Sequence, residues 1–197
     1  MQLLHRGLFL AVFATLGGCS DSEPEVAKKI EPVATAQQAK PAPVAERSLG
    51  MTPEEFRRQF NTQMAIVDEH YKLPKFDIQR GDVNDAFSHQ LASNVGLVGT
   101  VSKKSGEMKE ILVMLGAGKK YSDKETLMAL AVTVVVAEAA NPDIDKEIIG
   151  AVIPKMITKA LGNIDNGKSE ELTVGGVTYL AAASAVTGLM FSVSPAK

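Results

Sequence analysis

The sequence predicts an α+β domain: a mainly antiparallel sheet of about six strands with three helices packed on it, in the order α-βββ-αα-βββ. Three observations carry this. A capped amphipathic helix opens the segment after residue 50, two blocks of β-type residues are broken by glycine turns, and two helical segments separate those blocks. Strands and helices gathered in separate blocks favour antiparallel pairing with the helices on one face.

The first helix begins at Thr52, a good N-cap, with Pro53 at the first helical position and Glu55 completing a capping box. Phe56, Phe60, Met64, Val67 and Tyr71 then recur at spacings of three and four, a single apolar stripe that reads as core, and Pro74 closes the segment. Val83 to Leu91 is expected to be the first strand. Asn94 to Val101 alternates as a second, with Val95, Leu97, Gly99 and Val101 on one face. Lys104-Ser105-Gly106 is a turn signal, and the β-rich run from Met108 to Leu115 makes a hairpin with the preceding strand.

Ser122 and Glu125 form a second capping box, opening a helix from Asp123 to about Ala140. Leu127, Met128, Leu130, Ala131, Val134 and Val135 make it apolar nearly all round, so it should be the buried central helix. Asn141-Pro142 breaks it. Asp143 can cap a third helix running to Leu161, with Ile144, Ile148, Val152, Met156 and Ile157 facing inward, Gly162 as its stop and Pro154 expected to kink or divide it. From Glu170 the chain reads as strand, Gly175-Gly176 turn, strand, Gly188 break and strand. Leu172 to Pro195 is free of charge and long enough to span a bilayer. Its glycines, its Ser and Thr residues and the alternation of Leu189 to Val193 favour hairpins instead.

The first fifty residues are of another kind. Met1 to Arg6 carries one positive charge and no negative one, and Gly7 to Leu16 is a ten-residue apolar run. That layout is a secretory signal, too short for a membrane-spanning helix. Leu16-Gly17-Gly18-Cys19 resembles the lipobox of bacterial lipoproteins. The resemblance covers four residues and implies cleavage before Cys19, a diacylglycerol on its thiol and acylation (typically palmitate) of its new amino group. Cys19 is the sole cysteine of the chain, so no intramolecular disulfide is possible, and several acyl chains on one residue fit the requirement of stable anchoring for more than one lipid. Ser20 in place of Asp, read by resemblance to the enterobacterial sorting rule, points to the outer membrane, with the domain facing the periplasm.

The expected division is therefore 1–18 signal peptide, 19–50 lipidated Cys and linker, and 51–197 a single domain. Ser20 to Gly50 is rich in Ala, Pro, Glu, Lys and Gln, without aromatics or apolar period, and is expected to be disordered. Its 31 residues would span roughly 30 Å as a flexible coil and about 95 Å in polyproline form. The 147 residues that remain are enough for one core. The full chain has 21 basic and 23 acidic side chains; without Arg6 the balance is 20 to 23, a net charge of −3, with no basic patch for nucleic acid.

No reaction motif emerges. Gly116-Ala117-Gly118-Lys119-Lys120-Tyr121-Ser122 lies between strand and helix, but Val113 and Lys120 stand where a phosphate loop needs Gly and Ser or Thr. Weak anion binding by the free N–H groups of the following helix is conceivable. After the signal only His70 and His89 remain, without zinc-type spacing. His89 follows Asp85 by four residues, roughly 13 Å apart on a strand. Asp82 with Asp85, Asp143 with Asp145, and Glu170 with Glu171 are carboxylate pairs of the kind that solvated turns and helix starts produce. No catalytic, cofactor or metal residue is assigned, and Cys19 is the one site residue, for lipidation. The expectation is a membrane-tethered, non-catalytic binding or interaction module with a protein partner in the envelope, of inhibitor, immunity or accessory type. The alternative is an envelope hydrolase with a site assembled from scattered residues such as Asp85 and His89. A third class, a structural component with Leu172 to Val193 buried in a membrane or an oligomer interface, is weaker.

Overall fold

The computed structural model describes residues 46–117 and 122–197. Cys19, the signal-like start and the linker to residue 45 lie outside the described residues, as do Gly118 to Tyr121 of the glycine–lysine loop. The compact unit that holds the described residues runs from Val44 to Lys197.

The chain forms α1 (Pro53–Val67), a single 3₁₀ turn (Glu69–Tyr71), β1 (Asp85–Ala92), β2 (Val95–Val101), β3 (Met108–Leu115), α2 (Asp123–Ala140), α3 (Lys146–Gly162), β4 (Glu170–Val174), β5 (Val177–Ser184) and β6 (Gly188–Pro195). This is the expected α-βββ-αα-βββ order. The strands make one antiparallel sheet in the order β1-β2-β3-β6-β5-β4, so each block of three is a meander and the two meet where β3 pairs with β6. Because β3 and β6 are antiparallel and the order reads outward alike on both sides, the meanders are related by a topological two-fold at that junction.

Alternation along the strands sets the layers. Val95, Leu97 and Val101 of β2, Ile111 and Val113 of β3, Tyr179 and Ala181 of β5, and Phe191 and Val193 of β6 are buried on one face. The helices meet this face: α1 packs on α2, α2 on α3, and α3 on β5 and β4. None of the three helices covers the other face, where Val98, Leu112, Leu180 and Met190 are half-buried. The charge-free segment from Leu172 thus belongs to three sheet strands, and no helix among the described residues is long and apolar enough to cross a membrane.

Both capping boxes form: Thr52 and Glu55 exchange side-chain to backbone bonds at α1, as do Ser122 and Glu125 at α2. Several expectations need correction, among them the first strand, which begins at Asp85 and leaves Val83 exposed. Val67 is 48 % exposed because α1 ends there and the stripe leaves the helix. Leu127 is 67 % exposed: only the later turns of α2 are enclosed, with Val132, Val135, Val136, Ala139 and Ala140 in the core. The third helix starts after Asp145, whose carboxylate caps Glu147 N at 2.8 Å, and it buries Ile149, Ile153, Met156, Ile157 and Ala160 while Ile148 is exposed. Pro154 does not divide α3, which runs through it from Lys146 to Gly162, and the Pro154 carbonyl accepts Thr158 Oγ1 at 2.9 Å.

Residues 46–50, assigned by composition to the linker, are held by the sheet. Leu49 N donates to Met108 O at 2.7 Å, Met108 N donates to Met51 O at 2.8 Å, and the Arg47 guanidinium donates to Ala196 O at 2.8 Å. Lys109 pairs with Glu46 at 3.0 Å, and its cation holds the Glu46 carboxyl below the usual carboxylate range.

Candidate functional site

At the end of the sheet where β3 finishes and β6 begins lies a cavity of about 450 Å³. Two helices form its walls: Thr126, Ala129 and Leu130 from α2, and Ile157, Thr158 and Leu161 from α3, with Ile164 just beyond. Leu115 to Ala117 after β3, and Ser184, Ala185, Gly188 and Leu189 around the β5–β6 turn, close the sheet side. Asn94, in the turn between β1 and β2, completes it. The volume falls within the roughly 300–1,000 Å³ typical of small-molecule sites.

The cavity exists because small residues stand where α2 and α3 approach the sheet end. Ala129 on α2 leaves room that a longer side chain would fill. Gly188 lets the β5–β6 turn press close to the chain after β3: its φ is +78°, and an added Cβ would strike Leu115 O and come within 2.8 Å of Ala117 N. Leu161 is 44 % exposed and Ala185 is exposed, which places them at the opening. Leu127 and Val186, next in sequence to Thr126 and Ala185, are also exposed.

The lining is aliphatic with few polar groups. Among the described lining residues no side chain is charged and none is aromatic. Thr158 donates to Pro154 O, Thr126 to Ser122 O at 3.2 Å, and Ser184 and Thr187 share a 2.7 Å bond. Asn94 differs. It is only 8 % exposed, its backbone carbonyl accepts Gly116 N at 3.1 Å, and its side-chain Nδ2 is buried without a hydrogen-bond partner.

The residues singled out from sequence are not assembled into a centre. Asp85 and His89 lie at the two halves of the edge strand β1, which is a strand throughout, so roughly 13 Å of backbone separates them. Asp85 Oδ1 accepts Gly81 N at 3.3 Å, and His89 stands opposite Leu97 of β2. His70 bonds Asp68 at 2.8 Å on an exposed surface. Asp145 is a helix cap and Glu170 pairs with Lys159 at 3.8 Å. Among the described residues no group of three or more His, Cys, Asp or Glu could hold a metal ion.

Two other recesses are less suited to a ligand. A polar one between the start of α1, the α2–α3 turn and Gly175-Gly176 contains Arg58, Glu55, Asn141 and Asp143; Asn141 is already bonded to Val174 O at 3.3 Å. A wide one holds Arg47, Lys103, Lys104 and Lys109 with Asp82 and Glu46; Arg47, Lys103 and Lys109 are already bonded, to Ala196 O, Gly81 O and Glu46 respectively. Comparison with protein-family models, with curated proteins and with solved structures finds no match.

Proposed function

We propose that this chain is a lipid-anchored protein of the bacterial envelope, tethered through Cys19 with its domain in the periplasm, and that the domain is a non-catalytic binding module. The anchor reading rests on the signal layout and the Leu16-Gly17-Gly18-Cys19 sequence, and the absence of Asp after Cys19 favours the outer membrane. The observation that carries the binding reading is the aliphatic cavity between α2, α3 and the ends of β3 and β6. A site with such walls binds by excluding water, and among its described lining residues there is no His, Asp, Glu, Lys or Cys.

Crosslinking in the native envelope, followed by mass spectrometry, tests the proposal by identifying what the domain contacts. Replacing Asp85 and His89 together with Ala is expected to leave the phenotype intact; its loss would favour the hydrolase reading. Cys19→Ala is expected to release the protein from the membrane fraction, and unchanged association would overturn the anchor.

A further inference from the structure

We propose that the sheet face left bare by the helices packs on the same face of a second copy of this chain, about a two-fold axis running along the β3–β6 seam. Alternation fixes what that face presents. With Leu97, Ile111, Tyr179 and Phe191 buried on the helix side, Val98, Leu112, Leu180 and Met190 point the other way and are half-buried, and Met114 is 37 % exposed. Gln90 and Met114 both reach over Gly96, each 3.7 Å from where its Cβ would stand, so these three share the face. The strand registers line the side chains up in rows. One row reads Ser88, Val98, Leu112, Ser192, Leu180, Glu171, and the next runs from Gln90 through Gly96, Met114 and Met190 to Ala182. The middle of the face is thus apolar and uncharged, the composition of an interface core.

Area and charge select a second copy. Six strands at about 4.8 Å spacing and 3.3 Å per residue give a footprint of roughly 700 Å². Two such faces cover about 1,400 Å² together, the size of a specific interface, and stacked sheets pack with their strands within roughly 30° of one another. Charge then decides the axis. Glu110 and Glu171 stand on this face, and Lys197 borders the same recess as Glu171. An axis along the seam lays β3 on the second copy's β6 and β4 on its β1. On this face β6 offers Met190, Ser192 and Ser194 and β1 offers Ala86, Ser88 and Gln90, none of them charged. The same axis sets Val98 over Leu180 and Met114 over Met190. An axis across the strands through the Leu112 row would instead set Glu171 on its own copy, with two like charges taken out of water. A lipid surface fits less well. Neither row holds a Lys or Arg to meet phosphate, and the hydroxyls of Ser88 and Ser192 would find no acceptor in hydrocarbon.

The test uses the mature full chain carrying Cys19→Ser. Sedimentation equilibrium should show the mass double as concentration rises through the micromolar range. Met114→Lys and Met190→Glu, each placing a charge at the middle of the face, should each weaken association at least about hundredfold. Met114 is the more exposed of the two, and its variant should melt as the dilute wild type does. Mixed in equal amounts, the two variants should associate again, because the axis sets one position on the other. Val186→Lys, at an exposed position by the cavity end, should leave the dimer intact. A protein that stays monomeric up to about 1 mM, a dimer that survives Met114→Lys, or mixed variants that remain apart would each overturn the proposal. So would a monomer that floats with phosphatidylethanolamine vesicles and loses that property in Met114→Lys, which assigns the face to lipid. A dimer broken by Val186→Lys would overturn it too, by moving the interface to the cavity end.

Discussion

Phe87 of β1 lies across Gly99 of β2, its ring filling the space where a side chain at Gly99 would stand. Phe76 stacks on the other side of that ring at 3.9 Å between centroids. The ring is 2 % exposed and has no free direction in which to move. Gly99→Ala is therefore expected to destabilise the domain by about 2 kcal/mol, with urea unfolding as the measurement. A cost below about 0.5 kcal/mol would show that the ring can shift.

At Gly188 the constraint is in the backbone. With φ at +78° and neighbouring main-chain atoms of Leu115 and Ala117 in contact range of a Cβ, Gly188→Ala should cost about 2 kcal/mol or more. Because Gly188 lines the cavity, hydrogen exchange in the β5–β6 turn and at the end of β3 should also accelerate. Exchange altered only in β4 would contradict this placement.

The N-cap of α1 should be sensitive to acid. Backbone and side-chain bonds from Thr52 hold the Glu55 carboxyl below its ordinary pKa. A carboxyl whose folded pKa is depressed contributes stability above its unfolded pKa and loses that contribution as pH falls through the folded value. Thr52→Ala is expected to cost about 1 kcal/mol at neutral pH, and the difference from wild type should narrow in acid, as followed by thermal melts across the acid range.

Glu138 on α2 should behave in the opposite sense. Burial pushes its carboxyl above the ordinary value, against the opposing charge of Lys146. A raised folded pKa means the charged form is disfavoured in the fold, so the cost is present at neutral pH and disappears as pH falls through that value. Glu138→Gln should raise the melting temperature at neutral pH and have no effect in acid. A lower neutral melting temperature would point to an attractive role for the charge.

Residues 46–50 contribute to the domain through Leu49, Arg47 and Glu46. A chain beginning at residue 51 should be less stable than one beginning at residue 44, since the bonds of Leu49, Arg47 and Ser48 and the Glu46–Lys109 ion pair are lost. Equal denaturation midpoints would return those residues to the linker.

Features written in neighbouring residues were legible before the structure. Thr52 with Glu55 and Ser122 with Glu125 are local chemistry, and the alternation of Val95 to Val101 needs only its own strand. The face of α3 was not legible, because Ile148, Ile149, Val152 and Ile153 are all apolar, and only packing against α2 and β5 decides which of them turns inward. Composition could not place residues 46–50 either, since Leu49 meets Met108 across 59 positions of chain. The cavity was invisible for the same reason. It is a gap between α2, α3, two turns and a strand end, and Asn94 becomes an unpaired buried amide only once those elements surround it.

The attachment of residues 46–49 and the cavity occupy opposite ends of the same two strands. Met108 and Pro195 mark one end of β3 and β6, and Leu115 and Gly188 mark the other, roughly 23 Å away at 3.3 Å per residue. Tension applied at the cavity and resisted at residue 46 would run along these central strands, with their interstrand bonds lying across the line of force. Such bonds share a load and yield together in shear rather than peeling apart singly, so the domain would resist a pull in that direction better than one applied to its edge strands.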